Sequence, residues 1–300
     1  MSRLLVFGGS GQLARELVKL AGEQEREVRA LGRADLDLAD PTLDLDAAVA
    51  QAIAGFAPDA VVNASGYTAV DKAESDPEAA LRLNRDAPAA MARSCAAAND
   101  TPLVHVSTDY VFDGRSGPYR ESDPVNPQGV YGRSKAEGEA AVAAAGGRAV
   151  TLRTSWVYAA HGANFVRTML RLAASRDELG VVGDQRGRPT WARELSEACL
   201  LAADALGRGE LDGVPVLHVS GGGEASWAEF AEGVFAVSAA RGGPSARVRA
   251  ITTAEYPTPA ARPADSRLDG ALAAQRIGFH PRPWRESLEL CMAEMELAPA

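Results

Sequence analysis

Cysteine is scarce in this 300-residue sequence, with only Cys95, Cys199 and Cys291, each far from the others in an alanine- or leucine-rich helical context. Without a C-x-x-C pair or nearby paired histidines, they argue against a disulfide framework or a thiolate metal centre and read as buried thiols. Basic residues are also in deficit: 31 Lys and Arg against 40 Asp and Glu leave a formal net charge of -9. Affinity for a phosphate backbone comes from clustered positive charge, so no nucleic-acid partner is expected. A long apolar run is missing too. The opening "MSRLLVFGG" soon gives way to glycines and a glutamine, so neither a signal peptide nor a membrane span is expected, and the expected location is cytoplasmic.

What is present is an ordinary globular composition, 46% hydrophobic and 24% charged, in a chain long enough to bury a substantial core. In the first half, short apolar runs alternate with helical stretches. The strand candidates are "RLLVF" (3–7), "EVRAL" (27–31), "AVVNA" (60–64), "LVHVS" (103–107) and "AVTLRT" (149–154). Between them lie "GQLARELVKLA", "LDAAVAQAIAGF" and "PEAALRLNRDAPAAMARSCAAA". Parallel strands need crossovers of about a dozen residues, which these intervals supply. The pattern predicts an α/β chain: a Rossmann-like doubly wound parallel sheet over residues 1–155, then a smaller C-terminal substrate-binding region over 156–300. In the second region helices are expected near 163–175, 190–206, 226–240 and 284–296, with a strand near 215–220 that returns to the main sheet.

Residues 7–14, "FGGSGQLA", end the first strand and open the first helix. Gly8 and Gly11 suit a dinucleotide turn, in which the chain bends tightly and its backbone approaches a pyrophosphate at a helix N-terminus; Ala14 replaces a frequent third glycine. The second strand runs out at Arg33, where an arginine suits a 2′-phosphate, so NADPH is preferred and NADH is the alternative; a solvated loop residue is the equal reading of Arg33. Asp37 and Leu38 follow where the chain wraps the adenine, and Ala64, Ser65 and Gly66 follow the third strand.

The fourth strand ends in "HVSTDYVFDG", which topology places at the ligand cleft, and the next helix opens with "VYGRSKAEGE". Tyr131 and Lys135 share one helix face. From spacing alone, a surface aromatic beside a solvated lysine is the commoner arrangement. The hydroxyl of Thr108 at the strand exit reverses that preference, because carbonyl reduction needs an acid near the new alkoxide. Tyr131 would supply it, Thr108 would orient the substrate oxygen, and Lys135 would lower the phenol's pKa and hold the cofactor ribose. Tyr110 has no lysine four residues later and reads as an apolar loop anchor.

Together "GGSGQLA", "VNASGYTAVDKAES", "STDYVFDG", "YGRSKAEGE", "RTSWVYAAHGANFVRTMLRLA", "GDQRGRPT" and "YPTPAARPADSRL" resemble the dTDP-4-dehydrorhamnose reductases, a family of the extended short-chain dehydrogenase/reductases. The resemblance implies reduction of the C4 ketone of a dTDP-4-keto-6-deoxyhexose to dTDP-L-rhamnose. It implies Gly11, Gln12 and Leu13 at the cofactor phosphates, Asp37 and Leu38 near the adenine, and Ala64, Ser65 and Gly66 along the dinucleotide. Thr108, Asp109, Tyr131 and Lys135 would line the reaction centre, with Trp156 on the sugar nucleotide or, as the alternative, packed as a core tryptophan. Arg262, in the proline-bounded "ARPA", is a planar donor suited to a diphosphate, or a tie from its loop to a carboxylate. Ser65-Gly66 stands where the family commonly has two alanines. Some members dimerise around magnesium held by glutamates, but "PTWARELSEA" and "CMAEMEL" assign no such ligands. No metal ligand is expected, while magnesium on the nucleotide diphosphate and a homodimer stay open. The alternatives are a 4-ketoreductase for another dTDP-deoxysugar, of antibiotic or dihydrostreptose type, and a non-catalytic regulatory subunit with the same fold.

Overall fold

A computed structural model describes residues 3–213 and 215–297. The chain runs β1 (Arg3–Phe7), α1 (Gln12–Glu23), β2 (Glu27–Leu31), α2 (Leu45–Phe56), β3 (Ala60–Asn63), α3 (Val70–Ala73), α4 (Pro77–Leu81), α5 (Ala87–Ala97), β4 (Leu103–Thr108), α6 (Val130–Ala144) and β5 (Ala149–Thr154). It continues with β6 (Val157–Tyr158), α7 (Phe165–Ala173), β7 (Glu178–Val182), β8 (Arg186–Gly187), β9 (Thr190–Trp191), α8 (Ala192–Gly207), β10 (Val216–His218), β11 (Ala225–Ser226), α9 (Trp227–Ala240), β12 (Arg247–Ile251), α10 (Ala271–Ile277) and α11 (Trp284–Ala293).

The main sheet is parallel, with strand order β10-β5-β4-β3-β1-β2. The five strand segments predicted for the first half all form, and the segment near 215–220 joins β5 as the sixth strand. Successive strands proceed outward from β1 in opposite directions, so the order reverses between β1 and β3. The carboxyl ends of those strands open the crevice where a ligand fits such a sheet. The central strands are buried on both faces, which is why they read as unbroken apolar runs.

One side of the sheet packs on α1 and α8, with Leu4, Val6, Leu17, Leu195, Ala203 and Leu217 in one core cluster. The other side packs on α2, α5 and α6, around Leu5, Phe7, Ile53, Met91 and Leu103. Thus α8, β10 and α10 lie beyond residue 155 yet belong to the sheet's own layers. A smaller lobe gathers α7, α9, α11 and the parallel pair β7–β12 around Phe230, Trp284 and Leu288. Cys95, Cys199 and Cys291 are free, buried thiols whose pKa values burial pushes up.

The helical run 77–97 contains a wider turn. Arg82–Asp86 is a π-helical turn between α4 and α5, a form common at functional sites. It sits opposite α6, where Gly138 lets the backbones meet, since a β-carbon there would stand 1.9 Å from the Asn84 carbonyl oxygen. At Gly132 a β-carbon would stand 2.2 Å from the Tyr110 carbonyl oxygen. The two glycines of "YGRSKAEGE" are therefore contact surfaces that seat the helix carrying Tyr131 and Lys135.

Candidate active site

A cleft of about 610 Å³ follows the carboxyl ends of β1, β3, β4 and β5. Gly8, Gly11, Gln12, Leu13, Arg33, Asp37, Leu38, Ala64, Ser65 and Gly66 line one end, while Thr108, Asp109, Tyr131, Lys135 and Trp156 line the other. The fold thus draws together residues up to about 150 positions apart, all nominated from sequence.

The glycine turn has the geometry of a phosphate cradle. Gly8 has φ +100, and a β-carbon there would stand 2.7 Å from the Ser65 amide nitrogen. At α1, the Gly11 N-cap supplies no side-chain acceptor, so the helix's first N–H groups are open to an anion along with the positive end of its dipole. Gln12 is tied to the far wall, its amide accepting from Asn164 Nδ2 at 2.8 Å. Arg33 and Asp37 are exposed at the rim; Leu38 is buried. The Ser65 hydroxyl, where the family commonly has alanine, donates inward to Asn63 Oδ1 at 2.6 Å.

At the other end, β4 delivers Thr108 and Asp109, and α6 delivers Tyr131 and Lys135. Thr108 Oγ1 donates to Asp109 Oδ1 at 3.0 Å and lies beside the Tyr131 phenol in the cleft lining. Burial raises Asp109 to about 6, against the nearby Ser266 and Thr108 hydroxyls that hold it down. Asp109 Oδ2 and Thr154 Oγ1, both at the cleft, are buried with no hydrogen-bond partner, which suits a polar ligand.

One expectation is corrected here. Tyr131 stands above the ordinary phenol value, at about 12, because burial outweighs the pull of the nearby Thr108 hydroxyl and the Asp109 charge pushes the same way as burial. The Lys135 ammonium does not lower it; Nζ donates to the Val106 carbonyl at 2.6 Å. Burial brings Lys135 itself down to about 8, with the Glu139 charge pulling it back up.

Arg262 pairs with Asp71, Nη2 to Oδ2 at 2.6 Å, and Asp71 also accepts from the Ala260 amide. It is not among the described residues lining the cleft, and this is the loop-tying arrangement. Trp156 does line the cleft, in left-handed backbone at φ 49, a conformation that costs about 1–3 kcal/mol outside glycine.

Three features were missed. Tyr110 lines the cleft and meets Tyr131 edge-on at 5.5 Å. Asn84, fully buried on the π-helical turn, accepts from the Tyr67 amide and donates to the Tyr67 carbonyl and Ser134 Oγ, locking the third-strand loop to α6. Behind Lys135, Arg153 clasps Glu139 through Nε at 3.0 Å and Nη2 at 2.7 Å, and Ser107 donates to the same carboxylate. Glu139 four residues after Lys135 was the available signal for this pair. Among the described residues, no group of three or more His, Cys, Asp or Glu could hold a metal ion, and no helix is long and apolar enough to cross a membrane.

Residues 2–297 match the family model described as the RmlD substrate binding domain. A dTDP-4-dehydrorhamnose reductase of Sinorhizobium fredii is 47% identical over 287 residues, covering 95% of each chain. Among solved structures, a dTDP-4-dehydrorhamnose reductase from Clostridium acetobutylicum superposes with a TM-score of 0.88 at 34% identity, covering 97% of this chain and 98% of that one. The Bacillus anthracis dTDP-4-dehydrorhamnose reductase in complex with NADP gives 0.87 at 31%, covering 98% and 100%. Near-complete coverage in sequence and structure, with the cleft at the sheet's switch point, leads to one assignment: the chain belongs to the dTDP-4-dehydrorhamnose reductase family.

Proposed function

We propose that this protein reduces the C4 ketone of dTDP-4-dehydrorhamnose to dTDP-L-rhamnose with NADPH, Tyr131 being the proton donor. The observation that carries the reading is the convergence of Thr108, Asp109, Tyr131 and Lys135 in the same cleft as the Gly8 turn. The relatives named above supply the substrate.

The chain suits a dinucleotide. The bare α1 N-terminus would hold the pyrophosphate, and Gly8 lets it approach the backbone. When bound, the nicotinamide supplies the hydride. The rest falls to side chains. Thr108 orients the ketone oxygen, and the Tyr131 phenol, raised to about 12, stays protonated at neutral pH and gives its proton to the developing alkoxide. Lys135, once turned from the Val106 carbonyl, would hold a ribose hydroxyl and stabilise the phenolate left behind. Trp156 and Asp109, which line the cleft, would border the sugar. The first alternative changes only the sugar, and intact Thr108, Tyr131 and Lys135 speak against a non-catalytic subunit.

The test is NADPH oxidation with a panel of dTDP-4-keto-6-deoxyhexoses. dTDP-4-dehydrorhamnose is expected to give the highest kcat/KM, and dTDP-L-rhamnose the product; turnover confined to another sugar would overturn the assignment. The cofactor preference rests on the exposed Arg33 at the rim. Arg33→Asp is expected to move the NADPH/NADH ratio of kcat/KM towards NADH by at least roughly tenfold, since a carboxylate repels the 2′-phosphate and accepts from a free 2′-hydroxyl. A ratio that does not move places Arg33 away from the ribose.

A further inference from the structure

The Trp156 indole is held by two neighbours outside the reaction chemistry. Trp227, the first residue of α9, stacks on it with centroids 3.5 Å apart and planes 8° from parallel. Gly187 of β8 lies over the ring plane at Cε2, so close that a β-carbon there would stand 2.3 Å from Cε2 and 2.6 Å from both Nε1 and Cζ2. Trp227 in turn rests on Phe165, at 4.7 Å between centroids, and Phe230, at 6.5 Å. Phe230 is fully buried, so the stack is anchored in the small lobe's core. At φ 49, the Trp156 backbone sends the indole where an extended residue would not, into this holder. One indole face is covered by Trp227, and the residue still borders the cleft.

We propose that Trp227 is a specificity-determining positioning residue: by stacking on Trp156 it fixes the cleft wall against the hexose, and so sets which 4-keto-6-deoxyhexoses are accepted. The inference rests on the reading that Trp156 meets the sugar. A ring stacked on Trp227 and pressed over its plane by Gly187 has little freedom to withdraw. Without the stack it can turn towards the vacated space, so the wall recedes, the fitting sugar loses contact and bulkier sugars are tolerated.

The test compares Trp227→Leu, Trp227→Phe and Trp156→Phe in the full-length chain. Trp227→Leu is expected to raise KM for dTDP-4-dehydrorhamnose by roughly tenfold, the scale on which apolar pockets discriminate. Its kcat should change less and KM for NADPH should hold, discrimination among 4-keto sugars should narrow, and Trp227→Phe should restore most of both. Stacked indoles also give an exciton couplet in circular dichroism, which either single replacement should abolish. Should Trp227→Leu not fold, Gly187→Ala presses a methyl onto the plane of the same ring and is expected to raise the sugar KM likewise. A sugar KM that rises in Trp156→Phe but not in Trp227→Leu, with the couplet lost, overturns the inference and leaves the Trp156 reading standing. An unchanged sugar KM in Trp156→Phe removes that reading and the inference with it.

Discussion

Tyr131→Phe is expected to lower kcat for sugar-nucleotide reduction by about a hundred- to ten-thousand-fold while leaving Tm and NADPH affinity near their original values. The change deletes one hydroxyl, keeps the ring against Tyr110, and leaves the α1 end of the cleft untouched. Steady-state rates and a binding titration decide it together. Turnover within a few fold of the unaltered chain would move the acid elsewhere, and Tyr110 is the nearest other phenol. The pH profile separates phenol from ammonium. Tyr131 stays protonated until about 12, whereas Lys135, brought down to about 8, is charged below that value and neutral above it. If the ammonium is needed, kcat should fall as pH rises past about 8; a rate level to about pH 10 would remove Lys135 from the chemistry.

The largest expected loss of stability comes from Glu139→Gln. Its carboxylate is clasped by Arg153, with both side chains nearly excluded from solvent. Glutamine keeps the shape and removes the charge, stranding the guanidinium beside the Phe112 ring and a neutral His218, which burial and Arg153 together bring down to about 3. Breaking one side of such a pair costs about 3–5 kcal/mol, which calorimetry should register as a fall in Tm of roughly 5–15 °C. Replacing both, Glu139→Leu with Arg153→Met, should recover most of the loss, since a packed apolar pair needs no partner for a buried charge. A single-variant loss below about 1 kcal/mol would mean that water reaches the guanidinium.

What was legible in the sequence had a local cause. Four of the five strands of the first half showed because each is a mostly apolar run of four to six residues buried on both faces, whereas β2, at the sheet edge with Glu27 and Arg29 exposed, showed by its place between helical stretches. Gly8, Thr108, Tyr131 and Lys135 could be nominated because each sits at a strand exit or helix start, where topology alone fixes direction. The small lobe was harder to read. The strands β6, β8, β9 and β11 have two residues each, and β7 finds β12 nearly 70 residues away. The π-helical turn also left no trace, since widening a helix by one residue barely disturbs its apolar period. Arg262 misled for a related reason: the sequence displays a guanidinium but not the Asp71 carboxylate, 191 residues away, that occupies it.

The fit between that wider turn and Gly138 constrains how the gene can be recombined. The Asn84 carbonyl occupies the space a β-carbon at 138 would need, so segment 82–86 and helix α6 have one joint solution and no good partial ones. A chimera with its crossover between residues 86 and 130 would inherit the two halves from different parents. Unless both parents carry the wide turn and the glycine, the helix bearing Tyr131 and Lys135 would be pushed off its seat. Viable crossovers should therefore cluster outside that interval, and a one-residue deletion in 82–86 should be rescued only by changes on α6, even though some fifty residues of chain separate the two.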